Sequence, residues 1–182
     1  LLAGDLLVEA RVEVAEIEEQ GVGEDRSEQR PVAGIHCRCI GVDHIADGGA
    51  QVLAVLDWFH NHVDYTPGVS TAETTAERTF VDRAGVCRVF SHLGITLCRA
   101  LSIPARAVSA YAWQLNPPDF HAVFEVYLDG GWWLVDPTRL APIEGLVRIG
   151  VGRDATDIAF LTTAGFCTSL SQSVTVSEAI DA

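Results

Sequence analysis

Hydrophobic and polar positions alternate at the start of the chain. From Leu6 to Val14 every second residue is apolar, and the residues between them are mostly charged. This period of two is typical of a strand with one buried face. The stretch from Ala15 to Pro31 is rich in glutamate and has no apolar period, which indicates a solvated linker. We therefore interpret residues 1–30 as a strand and an acidic linker, the strand being a remnant of an upstream β-domain, and residues 31–182 as the main domain.

Apolar residues at steps of three and four predict two helices in the middle of the chain. The first covers Gly49–Val63 and the second covers Val86–Leu101. A shorter helix is predicted between them, capped at its start by Ser70 or Thr71. Gly85 is expected to end this short helix and to start the next one. The second long helix is expected to be buried, because its apolar positions recur over about four turns.

Strand patterns dominate the second half of the chain. The predicted strands are Ala105–Ala112, His121–Leu128, Val147–Val151 and Thr168–Val176. Asp129 and Gly130 directly follow the second of these strands, and Asp-Gly is the strongest short-range signal for a β-hairpin. A two-residue turn would pair Leu128 with Gly131 and fix the register of the hairpin.

Length, charge and cysteine count limit the possible functions. The 182 residues fit one domain with a sizeable core. A net charge of −13 leaves no basic face for a phosphate backbone, so nucleic acid is not an expected partner. No apolar run approaches the length of a membrane span. Five cysteines without a regular framework favour free thiols, and we predict a cytoplasmic location. A chain that starts at Leu1 and contains no methionine indicates that the native N-terminus is missing.

The segment around Cys87 contains the strongest candidate for chemistry. Gly85 and Val86 lead into the second long helix, and Cys87 stands in its first turn. The unpaired N–H groups and partial positive charge of a helix N-terminus favour a thiolate, which is the reactive form of cysteine. Cys87 is therefore the candidate nucleophile. Cys98 lies on nearly the same helix face about 16 Å deeper, so it is assigned to the core.

A base and an orienting group follow on the predicted hairpin. With the two-residue turn, Asp136 lies opposite Val123 and on the same face as His121, at a diagonal of about 7 Å. A hydrogen bond between this carboxylate and the imidazole is then feasible. A three-residue loop would instead put Asp136 on the opposite face, unless a bulge restored the register. His92 is a poor candidate for the base, because its ring would lie about 140° round the helix from Cys87.

A metal site is the competing interpretation of the segment His36-Cys37-Arg38-Cys39. His44 follows it closely, and His60 and His62 come further on. Structural zinc usually takes two pairs of ligands at regular spacing, whereas the C-x-C here stands alone and the histidines follow no ligand spacing. We therefore predict ordinary packing or surface positions for these residues, with no metal and no cofactor.

Four short motifs occur in an order known from one family. They are Gly85–Leu93, Leu101–Arg106, Asp119–Ala122 and Asp136–Thr138, with further likeness at Tyr65–Gly68, Thr75-Ala76 and Arg148–Asp154. In this order they resemble the transglutaminase-like superfamily, and specifically its bacterial branch. The likeness extends from about Val52 to about Thr163. No single motif is specific, but four in the right order are a strong signal.

The resemblance implies a papain-like α+β fold, with helices packed on an antiparallel sheet and residues 31–182 as the catalytic core. It implies cysteine-dependent acyl transfer or hydrolysis at the amide bonds of a protein or peptide substrate. A triad of Cys87, His121 and Asp136 would act through a thioester intermediate. The expected oxyanion donors are the Cys87 backbone N–H and the loop that carries Tyr65.

Several alternatives stay open at this level. Water would resolve the thioester in a protease or deamidase and an amine would do so in a transglutaminase, and the sequence favours neither. An inactive binding module is the alternative from another class, although an inert copy has no chemical reason to keep all three residues. An arylamine acetyltransferase-like enzyme would need an acyl-coenzyme pocket, which the sequence does not indicate. Val89 bears on substrate preference, because bacterial relatives commonly have an acidic residue at this position, two after the cysteine.

Overall fold

The computed structural model describes residues 6–16, 39–161 and 167–178. Its α-helices are α1 (Gly48–His62), α2 (Ala76–Asp82) and α3 (Cys87–Ala100). Its strands are β1 (Leu6–Glu16), β2 (Asp64–Tyr65), β3 (Ala84–Gly85), β4 (Ala105–Ala112), β5 (Phe120–Leu128), β6 (Gly131–Val135), β7 (Leu146–Gly152) and β8 (Cys167–Glu178). A 3-10 turn, Ile143–Gly145, precedes β7. Helices packed with antiparallel strands confirm the predicted α+β class.

The central sheet is antiparallel and has the strand order β6-β5-β4-β7. Leu128 pairs with Gly131 across the hairpin between β5 and β6, which confirms the predicted two-residue turn. Asp129 and Gly130 both have positive φ, at 51° and 83°. A turn of this kind needs positive φ at both central residues, and Asp-Gly supplies it at little steric cost. The sequence of the turn therefore fixes the register of every later residue in β6.

Helix α3 packs directly on the sheet, as its apolar period predicts. At the contact Gly94 faces the ring of Phe124, and a Cβ at Gly94 would lie 2.6 Å from a ring carbon. The backbone of the helix can approach the sheet this closely because glycine has no side chain. Cys98 is fully buried beside Ile95 in the same hydrophobic cluster, which confirms its assignment to the core. The N-terminus of α3, with Cys87, is thus held at a fixed distance from β5.

A second part of the core lies between the three helices. Phe59 of α1 and Phe90 of α3 stack with their ring centroids 5.4 Å apart, within a cluster of fully buried residues. Helix α1 was expected over Gly49–Val63 and lies one residue earlier at each end. The carboxylate of Asp47 caps it by accepting a hydrogen bond of 2.7 Å from the Ala50 N–H. The two long helices are therefore confirmed, with boundaries shifted by one residue.

The start of helix α2 differs from the prediction. Thr75, rather than Ser70 or Thr71, is its N-cap and accepts a hydrogen bond of 3.2 Å from the Arg78 N–H. The preceding residues form a turn of their own, in which the Thr71 N–H donates to the Thr74 hydroxyl at 2.8 Å. A threonine at any of several nearby positions could cap the helix, and this local turn leaves Thr75 as the residue that does so.

The chain between α2 and α3 is extended, which corrects the prediction that Gly85 joins two helices. Arg83 ends α2 in the left-handed conformation, with φ of 56°. Its guanidinium lies over the ring of Trp58 at 4.5 Å from the centroid, a cation–π contact that stabilises this arrangement. The two residues of β3 then pair in parallel with the two residues of β2. This pairing places Tyr65 beside the start of α3.

The first and last strands pair with each other. β1 runs antiparallel to β8 along its whole length, with a register shift after Glu13. The sequence predicts both strands but not their pairing. Gln172 of β8 donates a hydrogen bond to the carboxylate of Asp119, just before β5. The assignment of residues 1–30 to a remnant of an upstream β-domain stays a prediction, and most of the acidic linker lies outside the described residues.

Candidate active site

Cys87 is the first residue of α3, and its position depends on the glycine two residues before it. Gly85 is buried, and a Cβ there would lie 2.2 Å from the side chain of Val89. Val89 itself is fully buried in the helical part of the core. The side chain two residues after the cysteine therefore packs under the turn that presents the thiol. Any effect of Val89 on substrate preference must act through the position of Cys87.

His121 and Asp136 meet as the hairpin register predicts. His121 is the second residue of β5, and Asp136 is the first residue beyond β6. The His121 Nε2 atom lies 2.9 Å from Asp136 Oδ2, and both side chains are about 1% exposed. A buried carboxylate at this distance accepts the Nε2–H proton and stabilises the charged imidazolium. The other ring nitrogen, Nδ1, is buried and has no partner within hydrogen-bond geometry.

Cys87 and His121 change each other's pKa. Burial alone would raise the pKa of the Cys87 thiol, but interaction with His121 and with the backbone N–H groups of Ala122 and Arg88 outweighs it and lowers that pKa. Burial would likewise lower the pKa of His121, whereas Asp136 and the cysteine raise it to about 9. Both shifts favour a thiolate paired with an imidazolium. The Asp136 contact uses Nε2, so Nδ1 is the ring nitrogen that has no hydrogen-bond partner and is available to a neighbouring thiol.

Ser91 ties the cysteine helix to the histidine strand. It lies one turn after Cys87 and is buried, and its hydroxyl donates a hydrogen bond of 2.8 Å to the carbonyl of Ala122. Ala122 is the neighbour of His121, so this bond links the two sides of the site through the main chain. Sequence reasoning missed this role. The only available signal was that Ser91 is a polar residue on the buried side of an amphipathic helix.

Thr138 is a second residue that sequence reasoning missed. Its backbone N–H and its hydroxyl both donate to Asp136 Oδ1, at 2.8 and 2.7 Å. The two oxygens of the carboxylate are thus used differently, with Oδ1 facing Thr138 and Oδ2 facing His121. The spacing Asp-x-Thr is a common local motif in which a threonine bonds the aspartate two residues before it. The motif itself could have been recognised, but not its contact with His121.

Tyr65, whose loop is the expected source of a second oxyanion donor, lies beside Cys87. Its hydroxyl interacts with both the thiol and the backbone N–H of Cys87. Partial burial and the neighbouring Cys87 thiolate raise the pKa of Tyr65 to about 12. The phenol therefore stays protonated at neutral pH and can donate a hydrogen bond. The parallel pairing of β2 with β3, which the sequence did not predict, is what brings it here.

Two other carboxylates near the hairpin have different environments. Asp119 is exposed and precedes β5. Glu125 is fully buried and forms ion pairs with Arg106 and Arg148. His121 takes neither of them as its carboxylate partner. The choice of Asp136 therefore follows from register rather than from a general excess of negative charge.

The histidines that the sequence analysis did not assign to the triad have other environments. His92 has its pKa lowered by burial, and the charge that most opposes this shift is Asp154. His62 stacks on Trp58 with ring centroids 5.4 Å apart. His60 is exposed. These environments are ordinary packing and surface positions, as expected.

A metal site is absent from the described part of the chain. Over residues 6–16, 39–161 and 167–178, no three His, Cys, Asp or Glu side chains are grouped so that they could hold a metal ion. Cys39 is an exposed free thiol and His44 is exposed. His36 and Cys37 lie outside the described residues. The prediction that the protein needs no metal stays a prediction.

No helix within the described residues is long and apolar enough to cross a membrane.

Two known proteins are similar to this chain in sequence or structure. An uncharacterised protein of Mycobacterium leprae is 34% identical over 120 residues, covering 59% of this chain and 42% of the relative. The crystal structure of a "putative cysteine protease" from Cytophaga hutchinsonii is 49% identical, with a TM-score of 0.70, and covers 74% of this chain and 46% of that one. The chain thus spans less than half the length of these relatives.

A further similar structure is the periplasmic domain of TgpA from Pseudomonas aeruginosa bound to ethylmercury. It is 30% identical, with a TM-score of 0.46, and covers 58% of this chain and 42% of that one. The cytoplasmic location inferred from the thiols stays a prediction. The sequence profile of the transglutaminase-like superfamily matches residues 41–137, a range that contains Cys87, His121 and Asp136. The papain-like arrangement of helices on an antiparallel sheet agrees with this match, and the chain belongs to the transglutaminase-like superfamily.

Proposed function

We propose that this chain is the catalytic core of a cysteine-dependent hydrolase that acts on amide bonds of a protein or peptide. The observation that carries the proposal is the position of His121, with Asp136 at 2.9 Å from Nε2 and with Cys87 close enough to raise its pKa. A nucleophile, a base and an orienting carboxylate in this order are the parts of a catalytic triad. An inactive binding module would have no chemical use for a lowered cysteine pKa and a raised histidine pKa.

Acylation would begin from the thiolate–imidazolium pair. The sulfur of Cys87 attacks the amide carbon, and the carbonyl oxygen becomes an oxyanion. When the C–N bond breaks, His121 gives its Nδ1 proton to the leaving amine, and the acyl group remains on the sulfur as a thioester. Asp136 holds the imidazole so that Nδ1 faces the sulfur, and it stabilises the charged form before the proton leaves.

Two donors are available for the oxyanion. The backbone N–H of Cys87 belongs to the first turn of α3, where it has no intrahelical acceptor. The Tyr65 hydroxyl lies next to the same N–H and keeps its proton because its pKa is about 12. Donors held in place before the reaction stabilise the developing charge without further reorganisation.

Deacylation would need a second nucleophile. Water would attack the thioester while His121 accepts its proton at Nδ1, and this releases a carboxylic acid and restores the thiolate. A primary amine in place of water would give a new amide. The similarity to the Cytophaga hutchinsonii protein, which is named a "putative cysteine protease" and is 49% identical, favours water. Because the chain spans less than half the length of its relatives, its substrate is part of the proposal.

Selective alkylation of Cys87 tests the proposal. At neutral pH iodoacetamide is expected to modify Cys87 far faster than Cys39, although Cys39 is the more exposed of these two thiols. The reason is that the thiolate is the reacting form, and the Cys87 pKa is lowered by its surroundings. Mass spectrometry of peptides after short exposure measures the ratio. Equal labelling of all cysteines, or a preference for Cys37 or Cys39, would contradict the proposal.

A library of fluorescence-quenched peptides, assayed with and without a primary amine, distinguishes hydrolysis of the thioester from its transfer to an amine. Hydrolysis products in the absence of amine, with little incorporation when amine is added, are expected for the hydrolase. Incorporation of the amine as the main product would assign transamidation instead. In both cases Cys87→Ala should give no product, because no thioester can form.

A further inference from the structure

We propose that Thr138 is a positioning residue of the catalytic site, which acts through Asp136 to hold His121 in the productive tautomer. This inference rests on the proposed function, in which Asp136 orients His121. It adds a fourth residue to that arrangement. In this proposal Thr138 acts neither on Cys87 nor on the substrate directly. Its effect on the site is transmitted through its hydrogen bonds to Asp136.

The hydrogen bonds of the Thr138 hydroxyl leave one direction for its proton. Its oxygen accepts a hydrogen bond from the Leu140 N–H at 3.3 Å. It lies 3.4 Å from His121 Nε2 and 2.7 Å from Asp136 Oδ1. Of the two possible acceptors, the Asp136 carboxylate is the nearer and the charged one. The hydroxyl therefore donates to Asp136 and turns a lone pair towards His121.

This arrangement favours one tautomer of the imidazole. Nε2 of His121 faces two oxygen acceptors, Asp136 Oδ2 at 2.9 Å and the weaker Thr138 Oγ1 at 3.4 Å. An unprotonated Nε2 would meet oxygen lone pairs on both sides, which is unfavourable in a site about 1% exposed. Nε2 is thus held in its protonated form, and Nδ1 remains as the basic nitrogen beside the thiol.

Thr138 also prevents rotation of the carboxylate. Asp136 Oδ1 accepts two hydrogen bonds from Thr138, one from the backbone and one from the side chain. Replacing the threonine by valine keeps the shape and the backbone donor but removes the hydroxyl. The carboxylate would then be held by one bond fewer and would support the imidazolium less well. Because the imidazolium in turn stabilises the thiolate, the effect should reach Cys87.

The test compares Thr138→Val with Thr138→Ser and with a matched control elsewhere in the chain. Thr156 makes the same two contacts to Asp154, from its N–H at 3.0 Å and its hydroxyl at 2.6 Å, but the histidine near Asp154 is His92, which is not part of the candidate triad. Thr156→Val removes the same kind of hydrogen bond without touching the site. All three variants keep Tyr65 and Arg88, the other titratable groups next to the cysteine.

The first readout is the rate of Cys87 alkylation from pH 5 to 10. Thr138→Val is expected to raise the apparent thiol pKa and to slow alkylation at about pH 6 by about tenfold, as expected for loss of one hydrogen bond to a charged group. Near pH 10, where the thiol is ionised in either protein, the rates should converge. Thr138→Ser should restore the wild-type profile, and Thr156→Val should leave it unchanged even if it lowers the melting temperature.

The second readout is the ¹⁵N chemical shift of the two His121 ring nitrogens, which reports the tautomer directly and needs no reactive cysteine. Above the His121 pKa of about 9, where the imidazole is neutral, wild type and Thr138→Ser should show Nε2–H, and Thr138→Val should show a mixture of tautomers. An unchanged pH profile together with an unchanged ¹⁵N pattern in Thr138→Val would overturn the inference and leave Thr138 as a local turn. If wild-type Cys87 is not selectively alkylated, the proposed function fails, but the ¹⁵N pattern still decides the role of Thr138.

Discussion

Replacing His121 by alanine is expected to lower the rate of acyl-enzyme formation by about 10⁶-fold, the loss seen when the base of a nucleophile–base pair is removed. In the proposed mechanism His121 has three tasks. It lowers the pKa of Cys87, it supplies the proton for the leaving amine, and it accepts the proton of the attacking water. The measurement is single-turnover appearance of the thioester with a peptide substrate.

The same variant should move the pH dependence of Cys87 alkylation. Burial by itself raises the pKa of the thiol, and interaction with His121 is the first contribution that lowers it. Without the imidazole the thiol pKa should therefore rise, so that alkylation at pH 7 becomes slow. His92→Ala is the matched control, because His92 lies on the same helix but is coupled to Asp154. If His92→Ala slows alkylation and His121→Ala does not, the base has been assigned wrongly.

Replacing Asp136 by asparagine is expected to lower the acylation rate by about 10⁴-fold, by the precedent of the serine triads. The amide can still accept or donate one hydrogen bond, so the fold should remain. However, it can offer its N–H₂ group to Nε2, which favours the imidazole tautomer with the proton on Nδ1. The charged imidazolium also loses its carboxylate, so the His121 pKa should fall from about 9. Turnover of a peptide substrate and a melting curve measure the two effects separately.

Asp119→Asn is the control for loss of negative charge. This exposed carboxylate lies just before β5 and bonds Gln172, so its loss should change acylation far less. Glu125→Gln is not a suitable second control, because Glu125 is buried and pairs with Arg106 and Arg148. Removing the charge of Glu125 would leave its arginine partners without their carboxylate, which destabilises the fold. Near-normal turnover in Asp136→Asn, together with its loss in Asp119→Asn, would show that the third member is Asp119.

The parts of the site that the sequence predicts are those determined by local rules. Asp129 and Gly130 specify a two-residue turn, the turn specifies the register, and the register puts Asp136 beside His121. The apolar period of α3 similarly places Cys87 at the start of a buried helix. These steps use only the nearest neighbours in the chain and the pleat of the strands. The fold class came from the resemblance, and the match to the family profile confirms it.

The parts that the sequence does not predict depend on contacts between distant segments. Two residues are too few to show a strand period, so the parallel pairing of β2 with β3, and with it the position of Tyr65, left no pattern to detect. The pairing of β1 with β8 joins the two ends of the chain, where any register is compatible with alternating residues. Thr75 caps α2 because a neighbouring turn occupies Thr71 and Thr74. In each case the local sequence is compatible with several pairings or caps, and contacts with distant segments determine which one forms.

The packing of α3 on β5 determines how the protein should lose its reactivity on heating. Cys87 and His121 stand on the two elements whose contact, closed by Gly94 against Phe124 and by the Ser91 hydrogen bond, forms the centre of the core. The two side chains can separate only if this contact opens, and opening it exposes core residues to water. Regions of this kind exchange their amide hydrogens only through global unfolding. Heat inactivation and melting of the domain should therefore be a single event, with one midpoint for both.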